Sequence, residues 1–173
     1  MPAPTDRYNG VSQALHWLIA LLAFALLAMG KLFDVDADDA NGIFGWHTAL
    51  GLSVLILMVV RTGWRLTHLV PPPAPGPDWQ QQVAQLTHVA FYGLLFLLPL
   101  TGWLLTSAEG DPVSLFGLPV PALPVGEDGE DFLEETHEIL GNVLMLLAAL
   151  HVAAGLKHHF IDRDGVLRRM LPG

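Results

Sequence analysis

Cysteine is absent from this chain, and charge is scarce. Without cysteine there is no disulfide, no thiolate metal site and no C-x-x-C-H attachment of c-type haem, so any metal or cofactor must be held by coordination and packing alone. Charged side chains make up 14% of the 173 residues, and 52% are hydrophobic. A soluble domain carries about a quarter charged residues, so the chain falls in the membrane class. Four stretches lack Asp, Glu, Lys and Arg altogether: 8–30, 40–60, 79–108 and 139–156. Each supplies most or all of the roughly 20 residues that cross about 30 Å of hydrocarbon. In lipid such a segment must satisfy its backbone internally, so the sequence predicts an all-α, four-helix transmembrane bundle in one domain over residues 1–173. The first stretch follows Arg7 as a signal peptide would, but its length and the polar pair His16 and Trp17 favour a retained span.

Basic residues are few and one-sided. With the N-terminus inside, the cytoplasmic face receives Arg7, Arg61, Arg65, Lys157, Arg163, Arg168 and Arg169, while the outer face receives only Lys31. Of the 17 carboxylates, 13 fall in outer loops, at 34–39 and 109–138. The net charge of −9 is therefore expected to form an acidic outward cap. Solvated loop surface is its ordinary explanation, and docking of a basic periplasmic partner is the alternative. No nucleic-acid partner is expected.

The spans are expected at about 11–31, 43–65, 83–107 and 132–159. Pro71, Pro72, Pro73, Pro75 and Pro77 make a stiff inner connection between the second and third. Pro99 and Gly102 predict a kink toward the outer end of the third. The next loop holds Pro112, Pro119, Pro121 and Pro124, yet is apolar over 115–125, so part of it should fold against the bundle. Asp164 and Gly165 open a short, basic, amphipathic tail.

Eight histidines are present, and His16, His47, His137 and His151 sit inside apolar stretches. An ionisable side chain at membrane depth is expensive and points to function. His137 and His151 are fourteen residues apart, which places them on one helix face about 21 Å apart. In the predicted topology His47 and His137 lie near the outer ends of their helices, and His16 and His151 in the inner halves. Two pairs at two depths result. One helical turn on from each stands a small residue: Ala20, Gly51, Gly141 and Gly155. That is room for a porphyrin against the backbone, although small residues also mediate ordinary helix contacts. Two depths about 20 Å apart exclude one tetrahedral zinc or copper site, whereas two bis-histidine haems satisfy the spacing. Imidazole on both axial positions suits electron transfer rather than oxygen activation.

The other histidines and the aromatics carry weaker signals. His68 and His159 read as interfacial. His88 and His158 also fit the interface, with a quinone pocket as the alternative, since imidazole can donate to a quinone carbonyl and exchange a proton near neutral pH. Trp17, Trp46, Trp64, Trp79 and Trp103 mostly fall near span ends, as an aromatic belt does. For Arg61 and Arg65, lipid phosphates are the preferred partners over haem propionates.

At these residues the chain resembles the bacterial cytochrome b561 family over essentially its full length. The matching features are Tyr8, the segment Ser12-Gln13-Ala14-Leu15-His16-Trp17, His47 with Gly51, Arg61 with Arg65, and Pro71-Pro72-Pro73. His88 before Tyr92, Thr136-His137-Glu138, His151 and Lys157-His158-His159-Phe160-Ile161-Asp162 complete them. The resemblance implies a four-helix bundle of the bacterial inner membrane, with both termini cytoplasmic. It implies two non-covalent b haems that exchange electrons with ubiquinone, His47 and His137 being the outer ligands and His16 and His151 the inner.

One branch of that family is similar to a superoxide:ubiquinone oxidoreductase. An anionic substrate calls for positive steering, yet the outer loops here hold Lys31 against 13 carboxylates, so this activity stands second. The 107–117 stretch and the segment from Lys157 to Asp162 look more like a branch linked with a periplasmic isoprenoid-binding protein. A reading of a different class is a haem-bearing anchor that docks a periplasmic redox partner. A non-redox transporter would need a polar pathway that the spans barely offer.

Overall fold

The computed structural model describes residues 7–33, 42–74 and 76–171. Four long helices dominate: α1 (Gly10–Leu32), α2 (Ile43–Thr67), α3 (Asp78–Ala108) and α4 (Glu130–Lys157). All four are long and apolar enough to cross a membrane, which makes this an all-α, multi-pass bundle. The acidic 34–39 loop and Pro75 lie outside the described residues.

Helix boundaries follow local chemistry more than the edges of the apolar runs. Asn9 caps α1, its side-chain oxygen accepting the Ser12 N–H at 2.9 Å. The same oxygen accepts the Trp64 indole N–H at 3.2 Å and so ties the start of α1 to the end of α2. The third helix starts at Asp78 rather than near Val83, because Pro77 stands ready at its N-cap and the glutamines that follow are good helix formers. It runs through Pro99 without interruption.

Successive helices pack as neighbours, α1 on α2, α2 on α3 and α3 on α4, but the backbone of α4 approaches α1 and α2 at most marginally. Ile19, Val54 and Met58 form a buried cluster, packed by Leu22, Leu26, Leu57, Tyr92, Leu95 and Phe96, that joins α1, α2 and α3. Leu21, Phe24, Val59, Leu146 and Leu150 are exposed, as lipid-facing residues are in a bilayer. The result is a bundle tight on three sides, with a slot where α4 stands off from α1 and α2.

Both ends of the bundle are closed by non-helical segments. At one end β1 (Ser114–Leu115) and β2 (Leu118–Pro119) form a hairpin whose two turn residues, Phe116 and Gly117, both have positive φ (52° and 86°). This is the turn twist that suits a two-residue hairpin loop. Val113 is buried beneath it, Phe116 meets the Trp46 ring edge-on, and Leu123 N–H donates to Ser107 Oγ at 3.0 Å.

At the opposite end α4 passes into a π turn (His158–Asp162), and a left-handed Arg163 (φ 55°) reverses the chain. The tail then folds back as a short 3₁₀ turn, Leu167–Met170, instead of lying free. Its carbonyls accept from the Tyr8 N–H, the Gln13 amide, the Trp17 indole and the Arg7 guanidinium, and Arg169 donates to Pro72. This latch escapes a reading of periodicity because backbone carbonyls carry it, and every residue has one.

Candidate cofactor site: two facing histidine pairs

The slot beside α4 is where the intramembrane histidines meet. His47 of α2 faces His137 of α4 with ring centres 6.2 Å apart and planes at 69°. At the other end of the slot His16 of α1 faces His151 of α4, with centres 6.4 Å apart and planes at 73°. Within α4 the fourteen-residue interval separates the two pairs by about 21 Å. A metal ion bonded to one nitrogen of each ring at about 2 Å would set the ring centres roughly 6 Å apart. Each pair is thus spaced to hold one metal atom between two imidazoles, and the two pairs are too distant to share one.

The surroundings of the rings fit this arrangement. His137 Nδ1 lies 3.0 Å from Thr101 Oγ1, and that hydroxyl donates to the Leu98 carbonyl at 2.9 Å. With its only proton committed to Leu98, the threonine oxygen accepts, so Nδ1 carries the hydrogen and Nε2 keeps the lone pair that a metal needs. Gly102 stands beside the same ring: a Cβ there would come within 3.1 Å of His137 Cε1. His47 Nδ1 is buried with no hydrogen-bond partner among the described residues, a costly state unless the site provides one.

The small residues one turn on from the histidines divide in two. At Gly51 and Gly141 an added Cβ would meet nothing within 4 Å, so both border open space, while at Gly155 it would reach Leu167 of the folded-back tail at 4.0 Å. Ala20 is half-buried on α1. Thr101 and Gly102 were not legible as site residues in the sequence. The available signal was a hydroxyl and a glycine side by side in the apolar run of α3, which could equally mark a kink.

The inner end of the slot is cationic. Arg61 and Arg65 are one turn apart on α2, and both guanidinium groups act electrostatically on His88, as Arg61 does on His16. Arg61 Nη1 is buried without a hydrogen-bond partner among the described residues, and Arg65 lies 5.9 Å over the Tyr92 ring. Arg61 as a whole is half-buried, with that one nitrogen turned inward. Phe91 meets His151 edge-on at 5.1 Å.

His158 lies apart from His88, and no hydrogen bond or ring contact joins them among the described residues. Its Nδ1 is 2.5 Å from Asp164 and 3.4 Å from Asp162, whose carboxylate also takes Lys157 Nζ at 2.5 Å. Burial pushes the Asp164 carboxyl upward, but the Val166 N–H and His158 outweigh it and hold the group below its ordinary range. At the far end of the bundle Glu109 is pushed up from its ordinary value by burial first, then by Asp111, Glu130 and Glu134. Lys31 there pairs with Glu138 at 3.4 Å.

Comparison with known proteins bears on the whole chain. The family described as prokaryotic cytochrome b561 matches residues 7–173. Cytochrome b561 homolog 2 of Escherichia coli (strain K12) is 34% identical, over 96% of this chain and 92% of that protein. The probable superoxide oxidase CybB of Yersinia pestis is 29% identical over 96% of each. Cytochrome b562 of Cereibacter sphaeroides is 28% identical over 95% of this chain and 94% of its own length.

Proposed function

The chain belongs to the prokaryotic cytochrome b561 family, and from that premise we propose that it is a transmembrane dihaem b-type cytochrome exchanging electrons with the ubiquinone pool of the bacterial inner membrane. Electron carriage within a membrane follows from the membership and the four spanning helices. The observation that carries the dihaem reading is the pair of ring separations, 6.2 Å and 6.4 Å, each suited to one iron between two imidazoles.

His47 and His137 are assigned to the outer haem, and His16 and His151 to the inner. When bound, such a haem supplies a one-electron couple with no open coordination position. The chain's own residues do the rest. Thr101 fixes the His137 tautomer and raises the basicity of its free nitrogen. Gly102 lets that ring stand close to α3, Gly51 and Gly141 keep side chains out of the slot, and Ala20 and Gly155 are assigned to packing against the inner haem, Gly155 with Leu167 of the tail beside it. The quinone site is assigned to the basic end. There His88 stands near the inner pair as donor to a quinone carbonyl, and His158, held by Asp164, is the second candidate. The basic end is taken as cytoplasmic because Arg and Lys concentrate there.

Superoxide oxidation is the second reading, favoured by the likeness to the probable superoxide oxidase of Yersinia pestis. The pairing of Lys31 with Glu138 weighs against it, since it mutes the one outer cation available for steering. Haem content and a reduced-minus-oxidised spectrum of the detergent-purified protein test the proposal. Two low-spin b haems per chain are expected, and a haem-free protein after expression with ample haem would refute it.

A further inference from the structure

We propose that Arg61 is the anchor of a carboxylate-binding site at the inner end of the slot, with a propionate of the inner haem as its ligand and Arg65 as its outer support. The inference rests on the dihaem reading and names a contact that reading does not contain. Its first ground is register. Arg61 follows His47 on α2 by the same fourteen residues that separate His137 from His151 on α4. Fourteen residues are close to four whole turns, so α2 presents Arg61 about 21 Å further inward on nearly the face that carries His47. At the inner level α1 and α4 supply the imidazoles, and α2 supplies a guanidinium.

The second ground is that one nitrogen of this guanidinium is unsatisfied where it stands. Its Nη1 is buried without a hydrogen-bond partner among the described residues. The group lies within electrostatic reach of both His16 and His88. Arg61 also lines a crevice among the inner ends of α1, α2 and α3, with Tyr8, Ser12, Trp64, Arg65, His68 and Tyr92, and none of the residues lining it is a carboxylate. A half-buried cation with one nitrogen fully enclosed and no counter-ion among the described residues is a costly arrangement that an anion would relieve.

Arginine suits a carboxylate in particular, because its planar fork can donate two parallel hydrogen bonds. A lipid phosphate offers similar chemistry, and the exposed Arg65 one turn further on is the more accessible partner for it. The ring of the inner haem would lie between His16 and His151, so a propionate at its edge is the oxyanion that can reach Arg61 from within.

The test uses the full-length protein in detergent, as Arg61→Gln and Arg61→Lys, with haem content and a redox titration of the reduced absorbance band as readouts. Losing the cation and leaving a propionate unpaired both favour ferric iron. Arg61→Gln should therefore lower the reduction equilibrium constant of the inner haem by about tenfold, roughly 59 mV for one electron, and leave the outer haem in place. Arg61→Lys keeps the charge and should retain most of the unmodified value. Reconstitution of the unmodified apoprotein with haem dimethyl ester removes the propionate charge and leaves the Arg61 cation, so it should move the inner step the opposite way, upward, and with no propionate to hold Arg61 the Arg61→Gln replacement should shift the ester-loaded protein by less than it shifts the native one.

Two haems with both potentials unmoved by Arg61→Gln would overturn the anchor and leave the dihaem reading standing. Full additivity with the ester, together with loss of co-purifying phospholipid from Arg61→Gln, would assign the site to a lipid phosphate instead. An unmodified protein without haem would defeat the dihaem reading itself. Should Arg61→Gln fail to fold, the ester-reconstituted unmodified protein carries the test: a titration identical to that of native haem overturns the proposal.

Discussion

Replacing Thr101 by valine removes one hydroxyl from a buried site and leaves its shape nearly unchanged. Thr101 is 9% exposed, and its oxygen joins the Leu98 carbonyl at 2.9 Å to His137 Nδ1 at 3.0 Å. Without it the Nδ1–H loses its acceptor. A stranded buried donor costs about 1–3 kcal/mol. That acceptor makes the imidazole a stronger electron donor to a bound metal and so favours the ferric state. If about 0.7–1.4 kcal/mol of the lost interaction discriminates between oxidation states, the outer haem potential rises by about 30–60 mV, since tenfold is 59 mV for one electron. A spectroscopic redox titration of Thr101→Val should show one step moved upward and the other unmoved. Thr101→Ser, which keeps the hydroxyl, should stay near the unmodified value. An unmoved outer step, or equal movement of both, would refute the argument that Thr101 acts through His137.

The other expectations address the slot, the outer rim and the tail. Replacing His47 or His137 by alanine should remove the outer haem and leave the inner, and replacing His16 or His151 should do the reverse; a spectrum with both haems intact in any of these variants defeats the assignment. Gly102→Val should also lose the outer haem, because even a Cβ would come within 3.1 Å of the His137 ring, and haem per chain measures it. Glu109 has a carboxyl raised in the folded state, so its ionised form weakens the fold: the penalty is absent below the ordinary value of 4.5 and grows as pH rises through the raised one. Glu109→Gln should therefore raise Tm at about pH 7 and have little effect near about pH 3.5, where a gain equal at both would contradict it. Trp17→Phe removes the 2.7 Å bond to the Met170 carbonyl and should cost about 0.5–1.5 kcal/mol, read as earlier thermal release of the tail by hydrogen exchange at residues 167–171.

What the sequence determined by itself is whatever depends on local spacing. Four charge-free stretches in a charge-poor chain mean four helices in lipid, because no other open structure satisfies a backbone there. The fixed rise of a helix sets the depth of each histidine, since fourteen residues along α4 amount to about 21 Å whatever the neighbours do. Helix ends were less legible: α3 begins at Asp78 because Pro77 and the glutamines extend a helix past the edge of its apolar run.

Only the tertiary structure decided which groups meet across helices. That α4 stands off from α1 and α2 and leaves a slot depends on packing among all four helices, as does the approach of Thr101 and Gly102 to His137. Arg61 reads as an interfacial arginine in one dimension, and the packing of α2 turns one of its nitrogens inward with no partner. The folded-back tail and the outer hairpin are held largely by backbone carbonyls and single side chains that have no periodic signature. Periodicity reports which face of a helix is apolar, while the partner of each face is a property of the assembled fold, where distances between residues remote in sequence are first set.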